Sequence, residues 1–346
     1  MNCRITGLLL LLLLRSSAQN LGSAHQFLLL SPSAGVSALG GISTGLLHND
    51  PSLQYVNPGS LNPAMHHHWS LSMNLLPAGL SQGDLHGAYS PDSIYTLGTG
   101  IHYMRFGEFQ ATDEAGNITG SFSGGEYAIN LTAARSWKQL HYGLGLKGIY
   151  SHIENYSAGA LAADAGIVYA NEDLSFQAGL VVRNMGLQIK SYIKNESEPL
   201  PLEINLGISQ KLAHLPLRYF IVFHDLQSWN IIDDYSAIAS TNIFGETPKK
   251  KNPFFTDLLA HFNLGAELYL GKVLKIRAGY NHELRQELRS ELVRGLTGFS
   301  FGSGLDFKRL GISYARNVVH QAGAYNHISL WTSFHAKKKS TSTPPL

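Results

Sequence analysis

The chain has 346 residues, a net charge of +2 with its histidines neutral, 14% charged residues, 10% aromatics and 35 glycines. Its charge content falls well below the roughly 25% of an ordinary soluble domain, and the net charge is too small to argue for nucleic acid or anionic lipid as a partner. Mean hydropathy is −0.04, too low for a bundle of membrane helices, while the aromatic content is too high for a disordered chain. Low charge, abundant glycine and aromatics, and neutral average hydropathy together fit a barrel wall in which apolar and polar residues alternate.

In chain order, the first element is a signal peptide. Arg4 precedes an unbroken apolar run from Leu8 to Leu14, too short to span a bilayer as a helix. Small residues at Ser16 and Ala18 place the cleavage after residue 18, with Ala24 as the alternative end. The only cysteine, Cys3, precedes the apolar run, so no lipid anchor, disulfide or thiolate metal site is expected in the mature chain. Residues 25–66 are rich in Gly, Ser, Pro and Asn but carry Phe27, Leu28, Leu39 and Tyr55, and are expected to form a compact segment plugging a barrel lumen.

From residue 67 to 336 the pattern alternates with period two. Tyr142, Leu144, Leu146 and Tyr150 share one parity and Gly143, Gly145 and Lys147 the other, so a strand would show one greasy and one small or polar face. The same holds for Leu274, Ile276, Ala278 and Tyr280 against Lys275, Arg277, Gly279 and Asn281. Fourteen strands are predicted, near 67–76, 83–90, 95–106, 124–135, 140–152, 159–170, 174–187, 200–212, 217–228, 256–270, 273–283, 296–307, 309–319 and 324–335. Every second connection is short, such as Gly271-Lys272, whereas 107–123, 188–199, 229–255 and 284–295 are long. This sorting, and an even strand number, predict an all-β transmembrane antiparallel barrel with turns in the periplasm and loops outside a gram-negative cell. The last strand ends in Trp331 and Phe334, and residues 337–346 form a basic periplasmic tail containing Lys337, Lys338 and Lys339.

Several residue groups invite a chemical role. His66-His67-His68 would place His66 and His68 on one strand face, but a metal needs three or four converging ligands, so a polar strand start is expected and no metal or other cofactor. Asp113-Glu114-Ala115-Gly116-Asn117 lacks the spaced carboxylates and closing Glu of a calcium loop and reads as a hairpin tip. His224-Asp225 is the one adjacent pair that invites a catalytic reading. Neighbours in a strand point to opposite faces, so the two are not expected to act together, and no nucleophile elbow or H-E-x-x-H motif accompanies them. No catalytic residue is assigned. The segment 281–289 offers a short exposed helix, with Leu284 and Leu288 one face apart, or a charged docking loop. The longest connection holds Trp229, Ile231, Ile232, Tyr235 and Phe244, which suit a protein contact or an inward-folded plug.

The sequence also resembles a family. Ser33-Ala34-Gly35, Ala38-Leu39-Gly40-Gly41, Asp50 and Asn57-Pro58 resemble the N-terminus of the PorV/PorQ proteins and, more loosely, FadL-like transporters. Similarity to PorQ continues through Phe106-Gly107, Asp113 to Asn117, Lys147 to Tyr156 (KGIYSHIENY), Val182 to Gly186, Glu198-Pro199-Leu200-Pro201 and His224-Asp225-Leu226-Gln227. At Asn57-Pro58-Gly59 the family has Asn-Pro-Ala, one small residue for another. The resemblance implies a FadL-like barrel of about fourteen strands, with Gly40, Gly41, Asp50, Asn57 and Pro58 as a plug motif. It also implies a non-enzymatic role in the type IX secretion system: holding a PorZ-like surface protein of the attachment complex, with the sortase PorU and the shuttle PorV, alongside outer-membrane lipid or lipopolysaccharide. Trp229, Ile231, Ile232, Tyr235, Phe244, Asp113 and Asn117 are the partner-contact candidates. The alternative is a FadL-like transporter of a hydrophobic small molecule.

Overall fold

The computed structural model describes residues 23–92, 94–194, 196–229, 231, 253–287, 295–320 and 323–334. The proposed signal segment, the basic tail, Ile232, Tyr235 and Phe244 lie outside the described residues. Alternation drives the architecture: where apolar and small or polar residues alternate, one face of each strand can meet lipid and the other a packed interior. Fourteen antiparallel strands result, β1 (His68–Leu75), β2 (Ser81–Tyr89), β3 (Tyr95–Thr112), β4 (Ile118–Trp137), β5 (Leu140–Ile153), β6 (Tyr156–Ala170), β7 (Phe176–Lys190), β8 (Glu203–Lys211), β9 (Leu217–Phe223), β10 (Phe262–Leu270), β11 (Leu274–Asn281), β12 (Phe299–Asp306), β13 (Leu310–His320) and β14 (Gly323–Ser333). Each pairs with its sequence neighbours, and β1 pairs with β14, from His68↔Ser333 to Leu75↔Asn326, which closes the barrel. In β1, Trp69, Leu71, Met73 and Leu75 are exposed on the outside while Ser70, Ser72 and Asn74 are buried inside. Closure joins the first strand to the last, which is how a sheet can satisfy its backbone groups in lipid. No described helix is long and apolar enough to cross a membrane.

All fourteen expected strands are present, with four local differences. The expected loop 107–123 is mostly strand: β3 and β4 continue past the wall and meet at a tight turn, Asp113 to Asn117. Its residues alternate only weakly, so period-two patterning gave no sign of them. β9 stops at Phe223 rather than 228, because Asp225 takes a left-handed conformation (φ 55°) that breaks the ladder. β10 starts at Phe262, and the preceding residues form helix α3 (Pro253–Ala260). The run Phe254, Phe255, Leu258 and Leu259 suits either element, and Pro253 favours a helix start. Residues His282–Glu287 form helix α4, the helical form of the two considered for that segment.

Residues 23–67 run inside the wall, with two short helices, α1 (Ala34–Ser37) and α2 (Leu53–Val56). Their polar atoms bond to inward-facing residues around the barrel. The Ala34 amide donates to Ser329 Oγ (2.6 Å), and the Leu47 amide to Gln177 Oε1 (2.9 Å). Asn263 Nδ2 donates to the Leu39 and Ile42 carbonyls (both 3.0 Å). Backbone meets backbone at Gly45, where a Cβ would lie 2.6 Å from the Gly207 carbonyl oxygen.

Candidate functional site

Register shifts interrupt the wall at β3–β4, β6–β7 and β13–β14, and one of those between β6 and β7 has charged residues buried around it. Between Ala163↔Met185 and Ala165↔Val182, two residues of β7, Arg183 and Asn184, oppose the single Asp164. This is a β-bulge, which bends a strand and re-aims its side chains. Asn184 takes φ 58°, tolerable for Asn because its short amide can bond locally. Its amide donates to Asp164 Oδ1 (2.8 Å), and its Nδ2 donates to the Pro201 carbonyl (3.0 Å). Lys147 Nζ donates to Asn184 Oδ1 (2.8 Å), pairs with Asp164 (2.8 Å) and sits 4.4 Å over the Tyr55 ring. Arg183 pairs closely with Glu203 and reaches the Tyr55 and Leu28 carbonyls (3.3 and 3.4 Å). The bulge is thus bonded to β5, β6, β8 and the N-terminal segment at once.

Past the bulge the ladder to β8 ends at Arg183↔Glu203, while β7 continues to Lys190. The returning connection carries Leu200 inward. Leu200 packs with Phe27, Leu28, Ala128, Ile149, Ala160 and Ala162, and Leu30 and Met104 lie against this cluster. Outside the same stretch, Met185, Leu187 and Ile189 face outward and are exposed. The unpaired edge therefore has an apolar exterior and, behind it, an apolar cluster in the loop-side half of the lumen. At the opposite, short-turn end lies a cavity of about 180 Å³, lined among others by Val36, Leu47, His48, Leu174, Tyr269 and Trp331.

The predicted motif residues fall along the N-terminal segment. Gly40 and Gly41 both have φ 92°, and a Cβ on Gly40 would strike Asn263. Asp50 Oδ1 accepts from the Ser52 amide (2.9 Å). Asn57 Oδ1 accepts from the Gly59 amide (2.9 Å), capping a 3-10 turn, and its Nδ2 donates to the Thr44 and Ile167 carbonyls (2.9 and 3.3 Å). Pro58 carries its carbonyl against the wall, where a Cβ on Gly143 would lie 2.4 Å away. Gly40, Asn57 and Pro58 meet the wall, whereas Gly41 and Asp50 bond within the segment, and none of them belongs to the apolar cluster.

The contact candidates scatter more widely. Asp113 and Asn117 form the exposed β3–β4 tip, where Asp113 Oδ1 accepts from the Asn117 and Ala115 amides (2.8 and 3.0 Å). Those bonds, with the Asn117 side chain first, hold the Asp113 carboxyl below its ordinary range. Trp229 is exposed, its ring tilted against Phe254 of α3 at 5.5 Å between centroids. Ile231, expected at a contact surface, is instead buried against Ala260, so α3 covers it.

The histidine expectations are also corrected. β1 begins at His68, and His67 has φ 56°, so strand alternation does not relate His66 to His68. His66 Nδ1 accepts from the Ser90 amide (3.1 Å), whereas His68 Nδ1 lies 2.8 Å from the Asn49 carbonyl. His224 and Asp225 do meet, with Nδ1 and Oδ2 2.9 Å apart, because both lie past the end of β9 where opposite-face geometry no longer applies. Arg183, Asn184 and Lys147 stood out in the sequence only within the stretches that resemble PorQ, and nothing there showed that they meet Asp164 at a bulge.

No family model and no curated protein matches the sequence. Solved structures match the fold. The toluene transporter TbuX of Ralstonia pickettii is 13% identical with a TM-score of 0.55, over 89% of this chain and 99% of that one. The P. putida toluene transporter TodX is 12% identical, TM-score 0.54, over 89% and 100%. A Pseudomonas aeruginosa FadL homologue is 10% identical, TM-score 0.50, over 88% and 98%. The chain thus has the closed fourteen-strand fold of the FadL-like outer-membrane barrels.

Proposed function

We propose that this protein is an outer-membrane transporter of a hydrophobic small molecule. The observation that carries the proposal is the interrupted β7–β8 ladder with an apolar cluster directly behind it. A compound dissolved among lipid chains could enter there without meeting water, since the route is apolar on both sides of the wall. Leu200 and Phe27 fill the inner mouth, so passage requires them to part. The cavity at the turn end, bordered by the N-terminal segment, would receive the compound next. The toluene transporters named above share the fold and support this reading, although fold alone does not determine function.

The test is uptake of radiolabelled toluene and of a long-chain fatty acid by a gram-negative host expressing the protein. Faster entry than in empty-vector cells, lost on Leu200→Arg while the barrel still inserts, is the expected outcome. Uptake equal to the empty vector with a folded surface barrel would overturn the proposal.

A second reading has its own observation. Trp229, Phe254 and Phe255 are 47, 59 and 63% exposed on the loop side, an apolar surface of the kind that marks protein contacts. It would suit a barrel that holds a PorZ-like surface protein of the type IX attachment complex, with PorU and PorV. Pull-down from solubilised outer membranes, with and without Phe254→Asp and Phe255→Asp, separates the two. Recovery of such a partner by the native surface alone would favour anchoring over transport.

A further inference from the structure

Three potential metal ligands converge where two loop-side connections leave the wall. His224 and Asp225 follow β9, and Glu283 lies in α4, just after β11. One ligand atom from each residue lies within 4.8 Å of the other two. His224 Nδ1 is 2.9 Å from Asp225 Oδ2 and 3.8 Å from Glu283 Oε2. Ligands held at about 2.0–2.2 Å around a tetrahedral zinc stand about 3.4 Å apart, and the two distances bracket that spacing. Small side-chain adjustments would therefore admit an ion without moving backbone.

The surroundings are those of a held site. Asp225 Oδ1 accepts from Gln227 Nε2 (2.8 Å), and the Asp225 amide donates to Asn205 Oδ1 (3.0 Å). The His224 amide donates to the His261 carbonyl (2.9 Å), while His261 Nδ1 is 2.7 Å from the His224 carbonyl. The Gln227 bond is of the kind that orients metal-ligating carboxylates in known sites. His224 is fully buried, and its Nε2 has no hydrogen-bond partner among the described residues.

The geometry points to a binding site for one divalent transition-metal ion, zinc above all, held by His224 Nδ1, Asp225 and Glu283 with a coordination position left open. One nitrogen and two carboxylates suit zinc or manganese. Calcium prefers six to eight oxygens, and magnesium keeps most of its waters. Because the ligands come from the β9–β10 and β11–β12 connections, the ion staples two loops at the same rim as Trp229 and Phe254. Proton and metal compete for Nδ1, so metal affinity falls as pH falls.

The experiment is zinc titration calorimetry and metal analysis of the full barrel in detergent, stripped with EDTA and with any affinity tag removed. One zinc per chain is expected, bound at least tenfold more weakly at pH 5.5 than at 7.5. Glu283→Gln and Asp225→Asn should each weaken binding at least tenfold, whereas a His66→Ala/His67→Ala double variant should bind as the native chain does. His224→Ala could fail to fold. Glu283→Gln changes only a loop helix, and its folding is checked by the heat-dependent gel shift of intact barrels. Absence of stoichiometric zinc, or binding that survives Glu283→Gln but is lost in the His66/His67 variant, would overturn the assignment.

Discussion

The β4–β5 hairpin and the β7–β8 pair grow from the same alternating kind of sequence, yet their walls end differently. β4 and β5 pair without a register shift from Trp137↔Leu140 to Gly124↔Ile153. β7 loses its β8 partner after Arg183, although its residues go on alternating to Lys190. The difference lies inside. Facing β7, Lys147, Asp164, Arg183 and Glu203 are buried together and use the bulge backbone as a partner. At the bulge the buried Asp164 carboxylate takes the Asn184 amide as a partner, and leaving a buried charge without partners would cost more than the lost strand pair.

Removing one of those charges should break the comparison most strongly. Asp164→Ala leaves Lys147 buried without its carboxylate and releases the Asn184 amide. Loss of one partner of a buried pair costs about 3–5 kcal/mol, to be read from denaturant unfolding in detergent or liposomes, and hydrogen exchange at 184–190 should rise. Leu146→Ala on the lipid face of β5 serves as the control with little effect.

Leu200→Ala comes next. Truncating a buried leucine costs about 2–5 kcal/mol, and here it also leaves a cavity behind the unpaired edge. The same unfolding curves, with toluene present and absent, should show ligand rescue in this variant and none for Leu146→Ala.

Gly45→Ala tests how tightly the N-terminal segment meets the wall. Its new Cβ would press on Gly207 and Gly179 backbone, and overpacking of this kind costs about 1–3 kcal/mol. Limited proteolysis of residues 23–67 should speed up, with the β4–β5 hairpin unaffected.

The smallest effect concerns the rim. Asp225 lies below its ordinary value: burial alone would raise it, but the His224 hydrogen bond and charge and the Gln227 bond prevail. Its contribution to stability is present above the ordinary carboxylate range and lost as pH falls through the lowered value. His224 is raised, so its contribution is complete below about 6.5 and lost as pH rises through its folded-state value. Without metal, stability should be greatest between these two limits. The unfolding midpoint against pH checks this, and Asp225→Asn should flatten the profile.

Much of this architecture could be read from residue order alone. Alternation in stretches such as Tyr142 to Tyr150 is set by the two-residue repeat of a strand, and the sorting of short and long connections follows from strands that run up and down. Both are local properties, so fourteen strands and a closed wall were legible. The identity of Pro253–Ala260 was not, because an apolar run of that length fits either helix or strand until its neighbours decide. The apolar cluster around Leu200, the bulge at Arg183 and Asn184, and the meeting of His224, Asp225 and Glu283 depend on residues far apart in the chain. They exist only because barrel closure and the N-terminal segment bring distant side chains into one volume where their polar atoms must find partners.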